Sequence, residues 1–119
     1  MIENDTDIVS DIKKMLGVEE SVSEFDIDIE SKINSAFFTL YQLGVGLNDP
    51  IIIDSTTMWS EFDTTVPKEI IREYLYLKVK TVFDPPSSSF VMEAEKDRIS
   101  ELEFRINIYV DNGGGITNG

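Results

Sequence analysis

Residues 67–90 read PKEIIREYLYLKVKTVFDPPSSSF, and this stretch decides the fold. Pro67 stands where a first helical turn accepts proline, because the N–H it lacks would have no partner there. Ile70, Ile71, Tyr74, Leu75, Leu77, Val79 and Val82 then follow at helical spacing. They cover so much of the circumference that this helix, read from about Pro67 to Phe83, must be central. Pro85-Pro86 ends it, since Asp84, next to a proline, is pushed out of helical conformation. Ser87-Ser88-Ser89 offers hydroxyl caps for a further helix.

That further helix is expected over about residues 88–107. Its apolar positions are Phe90, Val91 and Ala94, then Ile99, Leu102 and Ile106. Between them Glu93, Glu95, Lys96, Asp97 and Arg98 make a solvated face with pairing at three- and four-residue spacing. A second pattern overlaps its end. Leu102, Phe104, Ile106, Ile108 and Val110 alternate with other residues, which is the period of a strand. Helix is therefore expected to about 107, and an extended segment beyond it. Once extended, Ile106, Ile108 and Val110 share one face, suited to joining the edge of a partner's sheet. The glycine-rich residues 112–119 are expected to be a flexible tail to a domain spanning 1–111.

Upstream, a helix over about 26–43 carries one apolar stripe of Ile29, Ile33, Ala36, Phe37, Leu40 and Leu43. Asp26 is placed to cap it, and Gly44 and Gly46 to end it. Phe38 and Tyr41 lie beside the stripe and widen the apolar face beyond one partner's needs. A shorter helix over about 6–16 rests on Ile8, Val9, Ile12, Met15 and Leu16, with Gly17 as its stop. Residues 44–66 form a long connector. In it Ile51-Ile52-Ile53 is a short strand or an anchored loop, and residues 57–62 make one or two helical turns. Trp59, the sole tryptophan, is the natural anchor, to its own core or to a neighbour. The expected fold is all-α: a small bundle of four main helices, a short connector helix and an extended C-terminal tail.

Composition narrows the function. With 119 residues there is room for one domain, and a 41% hydrophobic content suits a packed core. Cysteine and histidine are both absent, which removes disulfides, thiol chemistry and the usual base near neutral pH. No apolar run approaches the roughly 20 residues that span a bilayer. The acidic amino terminus is the opposite of a secretory signal's start. A net charge of −13 argues against holding nucleic-acid phosphates or an anionic membrane. Residues 1–30 carry ten acids against Lys13 and Lys14 alone. This is a solubilising face, or one that meets a basic partner or repels passing DNA.

Motifs for chemistry do not survive inspection. Asp26-x-Asp28-x-Glu30 starts like a calcium loop, but Ser31 stands where glycine is needed and Phe37 where a glutamate belongs. The glycine runs lack the lysine and hydroxyl residue of a phosphate loop. No catalytic residue, metal ligand or cofactor is expected. The most basic stretch, Arg72, Lys78 and Lys80, is expected to meet an acidic surface, such as a neighbouring copy's amino-terminal region.

Several of these segments together resemble the small head–tail connector proteins of long-tailed bacteriophages. They are Lys13-Lys14-Met15-Leu16-Gly17-Val18, Ala36-Phe37, Leu40-Tyr41-Gln42-Leu43-Gly44-Val45-Gly46 and Trp59-Ser60-Glu61-Phe62, with Glu101-Leu102-Glu103-Phe104-Arg105. The most specific is residues 74–90, above all Phe83-Asp84-Pro85-Pro86-Ser87-Ser88-Ser89-Phe90. The likeness covers roughly residues 8–111, and the glycine-rich end lies outside it. It implies a non-enzymatic helical adaptor that forms a ring, commonly of twelve copies, beneath the portal in the virion neck. The genome passes through the ring's channel without specific binding. The C-terminal segment would engage the portal, and the opposite end a stopper or tail-completion protein.

On that expectation Ile106, Ile108, Tyr109 and Val110 dock to the portal. Phe38, Tyr41, Trp59, Phe62, Arg72, Lys78 and Lys80 make subunit or neck contacts. The alternative is an acidic helical regulator, an antitoxin or a mimic of DNA that occupies a basic protein.

Overall fold

The computed structural model describes residues 5–45, 51–62 and 64–113. Its helices are α1 (Ile8–Met15), α2 (Asp26–Gln42), α3 (Lys68–Phe83) and α4 (Ser89–Gly113), with one 3-10 turn at Trp59–Glu61. Among the described residues there is no strand, only an isolated bridge between Asp7 and Met58. No described helix is long and apolar enough to cross a membrane. The all-α expectation holds.

The central place of α3 follows from its sequence. Ile71, Tyr74, Leu75, Leu77 and Val79 are buried on different sides of it. It packs against α2, with α1 beside it, and against α4. The edge-on rings of Phe25 and Phe83, 5.4 Å apart, bring the start of α2 to the end of α3, so the two run antiparallel. Asp84 to Ser88 turn the chain back into α4, where the Ser88 hydroxyl accepts from the Val91 N–H. The stripe expected on α2 is the face it buries: Ile29, Ile33, Ala36, Phe37 and Leu40.

One local expectation changes. Asp26 does not cap α2; Phe25 holds that position without a side-chain hydrogen bond. Asp26 instead faces the buried Lys13 ammonium at 2.9 Å, which also donates to the Glu20 carbonyl. That pairing ties the end of α1 to the start of α2. At α1's own start Asp7 is the cap, accepting from the Ser10 N–H.

Ile51-Ile52-Ile53 is an anchored loop. The Asn34 side chain both accepts from the Ile53 N–H (2.8 Å) and donates to the Ile53 carbonyl (3.0 Å). Such a two-pronged clamp gives the loop the backbone partners that a strand would have found in a sheet.

The larger correction concerns the C-terminal segment. Residues 106–113 are the continuation of α4, not an extended tail. Leu102 and Ile106 are buried, with Ile99 and Val110 packed beside them, while Phe104 and Ile108 are exposed. Burial thus recurs every three to four residues, the period of a helix, although alternate residues are apolar. The second side of α3 accepts one stripe only. A helix satisfies its own backbone, whereas an extended segment needs a sheet edge, and the described residues form no sheet. Adding residues 106–110 to a partner's sheet as a strand is therefore not the form this segment has. The tail beyond Gly113 lies outside the described residues.

Val110 closes the bundle at this end. Gly44 has a positive φ of 104°, and a Cβ placed there would lie 2.7 Å from Val110 Cγ1. Glycine is needed both for the turn after α2 and for the approach of α4.

The helical register can be tested by two truncations. Ile106→Ala is expected to cost about 2–5 kcal/mol by opening a cavity. Ile108→Ala is expected to stay within about 0.5 kcal/mol. Urea midpoints measure both, and equal losses would mean that the two residues share a face, as in a strand.

Candidate functional site

Among the described residues no three acids are close enough to hold a metal ion. Of the grooves on the described surface, two bear on contact with other chains. One, beside α1 and the loop after it, is lined in part by Ser10, Asp11, Lys13, Lys14 and Glu20. The other lies on the outer face of α2, among Ile27, Glu30, Ser31, Asn34, Ser35 and Phe38.

Apart from Asp54, whose pKa is lowered by hydrogen bonds from Thr56 and Thr57, the shifted ionisable groups are held in side-chain pairs. The Asp11 carboxylate accepts from Arg72 at 2.6 and 3.0 Å and from the Trp59 indole N–H at 3.0 Å. It raises the Arg72 pKa above its ordinary value. Glu95 does the same for Lys80, 3.0 Å away. Between α3 and α4 run Glu73, Arg98, Glu101 and Arg105 in an alternating ladder. Hydrogen bonds from Arg98 and Arg105 lower the Glu101 pKa. Burial, and donation to Glu103 at 2.8 Å, hold the Tyr74 hydroxyl well above the usual tyrosine range. Each shift favours the charge state the group already has at neutral pH.

The residues proposed from sequence fall into distinct places. Of the docking set, Ile106 is in the core and Val110 packs on Gly44, while Ile108 and Tyr109 are exposed near the end of α4. Trp59 is 1% exposed, and Phe62 is buried with its ring edge-on to Phe37 at 5.3 Å. Both side chains are enclosed by their own chain. Phe38 is 49% exposed and tilts against Tyr41 at 6.1 Å. Lys78 sits 5.9 Å from the Tyr74 ring centre. Arg72 finds its acidic partner in the amino-terminal region of its own chain, and Lys80 finds one on α4. The charge match expected between copies is made, for these two, within one.

The structure adds apolar side chains that sequence reasoning did not single out as contacts. Ile27 is 84% exposed, Phe90 82% and Phe104 66%. At about 100° per residue, Phe104 and Ile108 point away from Leu102 and Ile106, on the solvent side of α4. Ile27 and Phe38 are likewise on the solvent side of α2. The signal was present for Phe104, since a helical wheel carried past residue 102 places it outside.

A surface of this kind, apolar in places and without a reactive pocket, suits contact with other chains. A family model described as phage connector protein matches residues 8–113. Comparison with curated proteins and with solved structures found no match.

The Asp11 centre is structural, and its removal shows as lost stability. Asp11→Ala strands an arginine and the half-buried N–H of the indole, and is expected to cost about 2–3 kcal/mol. Asp97→Ala, at an exposed site on α4, should stay within about 0.5 kcal/mol. A denaturant midpoint for Asp11→Ala equal to that of the parent would show that the pairing holds nothing together.

Proposed function

The chain belongs to the phage connector protein family, and on that premise we propose that copies of it form a ring between the portal and the next neck component. The coarser role, a structural part of a phage connector, comes with family membership. What supports the ring is the exposed apolar surface on helices whose own core is already closed. Among the described residues, none covers more than about half of Ile27, Phe38, Phe90 or Phe104. Copies packed side by side would.

In this reading the end of α4 docks to the portal, with Ile108 and Tyr109 the accessible members of the docking set. The α3–α4 turn, where Val82, Phe90 and Val91 are exposed, faces a stopper or tail-completion protein. Phe38, Tyr41 and Lys78 are the remaining candidates for contact with a neighbour. The excess of 23 acids over 10 bases supports a channel that repels phosphates, so that DNA passes without being held. The site of action is the neck of the virion, after assembly in the host cytoplasm.

Imaging of the chain mixed with its portal tests the proposal. A ring of ten or more copies stacked on the portal is the expected result. A compact complex of one copy with a basic protein, and no affinity for the portal, would replace it with the acidic regulator.

A further inference from the structure

We infer that the first half of α4, residues 89–98, is a latch: it opens from α3 as a unit, held shut by ion pairs and not by apolar packing. The second half of α4 stays in the core. The inference stands on the packing of these two helices and holds whether or not copies form a ring.

The apolar side chains that α4 gives to the core all follow residue 98. Leu102 and Ile106 are buried, and Ile99 and Val110 pack beside them. Before them Phe90, Val91 and Ala94 are exposed, and Met92 is only half-buried. From Asp84 through Glu101 no residue is fully buried. A helix in a protein is held chiefly by the packing of an apolar face, and so short a stretch without one is marginal by itself.

What the first half turns to α3 is charged. Glu95 and Arg98 lie one turn apart, where they meet Lys80 at 3.0 Å and Glu73 at 2.7 and 2.9 Å. These pairs are a weak hold. Arg98 and Glu73 are both more than a third exposed, so water screens their attraction. Glu95 is mostly buried, and its Oε1 has no hydrogen-bond partner among the described residues. That oxygen gives up water without replacement, which offsets much of what the Lys80 contact brings. The closed seam is therefore only slightly preferred over an open one. Opening stops at Ile99, where contact with the core begins. A segment that opens at low cost is one that a partner can reshape on contact. Phe90 and Val91 are the exposed apolar side chains it would carry to that partner.

Amide hydrogen exchange of the full-length chain tests the latch, read residue by residue at low salt and at about 1 M salt, where the reach of a charge falls to about 3 Å. Amides of residues 93–98 are expected to be at least about tenfold less protected than those of residues 103–107, and the gap is expected to widen several-fold at high salt. The double variant Lys80→Met with Glu95→Leu puts apolar contact in place of charge. It is expected to bring residues 93–98 toward the protection of 103–107 and to shrink the salt effect. Equal protection along the whole of α4 in the parent would overturn the latch. A gap that salt leaves unchanged would overturn the ion pairs as its hold, and so would a folded double variant that opens as readily as the parent. A double variant that fails to fold leaves the two parent measurements decisive.

Discussion

The structure depends on a helix whose buried side chains spread over more than one side. α3 buries Ile71, Tyr74, Leu75, Leu77 and Val79 on more than one side, so it must be covered from two directions. A helix with a single stripe is content with one partner; this one is not. Its demand recruits α2 and α1 to one side and α4 to the other, and each covering helix needs only one apolar face for that purpose. Whatever apolar side chains α2 and α4 carry on their other faces is surplus to folding. The exposed positions of Ile27, Phe38, Phe90 and Phe104 are that surplus.

Polar pairs set the angles of this arrangement more than they stabilise it. Asp11 draws Arg72 of α3 and Trp59 of the connector to α1, and Lys13 draws Asp26 of α2 to the end of the same helix. Partly buried ion pairs return little net energy after desolvation, but breaking one leaves a stranded charge. They therefore penalise wrong packings. The described part of the connector, with its single 3-10 turn, is fixed by the same means through Asn34, Asp11 and the bridge to Asp7.

The helices α2 and α3 were legible because their apolar spacing has one interpretation and glycine or proline marks their ends. Residues 102–110 were not, because they carry a helical and an alternating period at once. A feature distant in sequence decides between the two: the second side of α3 and the space left by Gly44. For Trp59 the core was one of two readings and the structure selects it, whereas burial of Phe62 was out of reach, since it depends on where the connector lies against α2. Of the interaction surface, Phe38 could be read from its place beside a complete stripe, and Phe104 by carrying the helical period past residue 102, although the alternating pattern masked it. Ile27, in a first helical turn, could not. Asp26 looked like a cap by type and spacing; Lys13, thirteen residues earlier, competes for its carboxylate.

The proposed ring has opposing terms whose sizes suggest how it would assemble. Covering one exposed aromatic or aliphatic side chain is worth about 1.5–3 kcal/mol. Covering two to four such side chains at each contact would thus bring roughly 3–12 kcal/mol by the same scale, less for side chains already half covered. Bringing two free molecules together costs an estimated 4–15 kcal/mol, and two chains each of charge −13 repel. The contact alone is therefore close to balance. A copy held at its α4 end by a portal has already lost its freedom to diffuse, and its neighbours are then at high effective concentration. On such a template the same contact becomes favourable without any added interaction. A surface this sparingly apolar would keep free copies apart and let them close only where a ring is wanted.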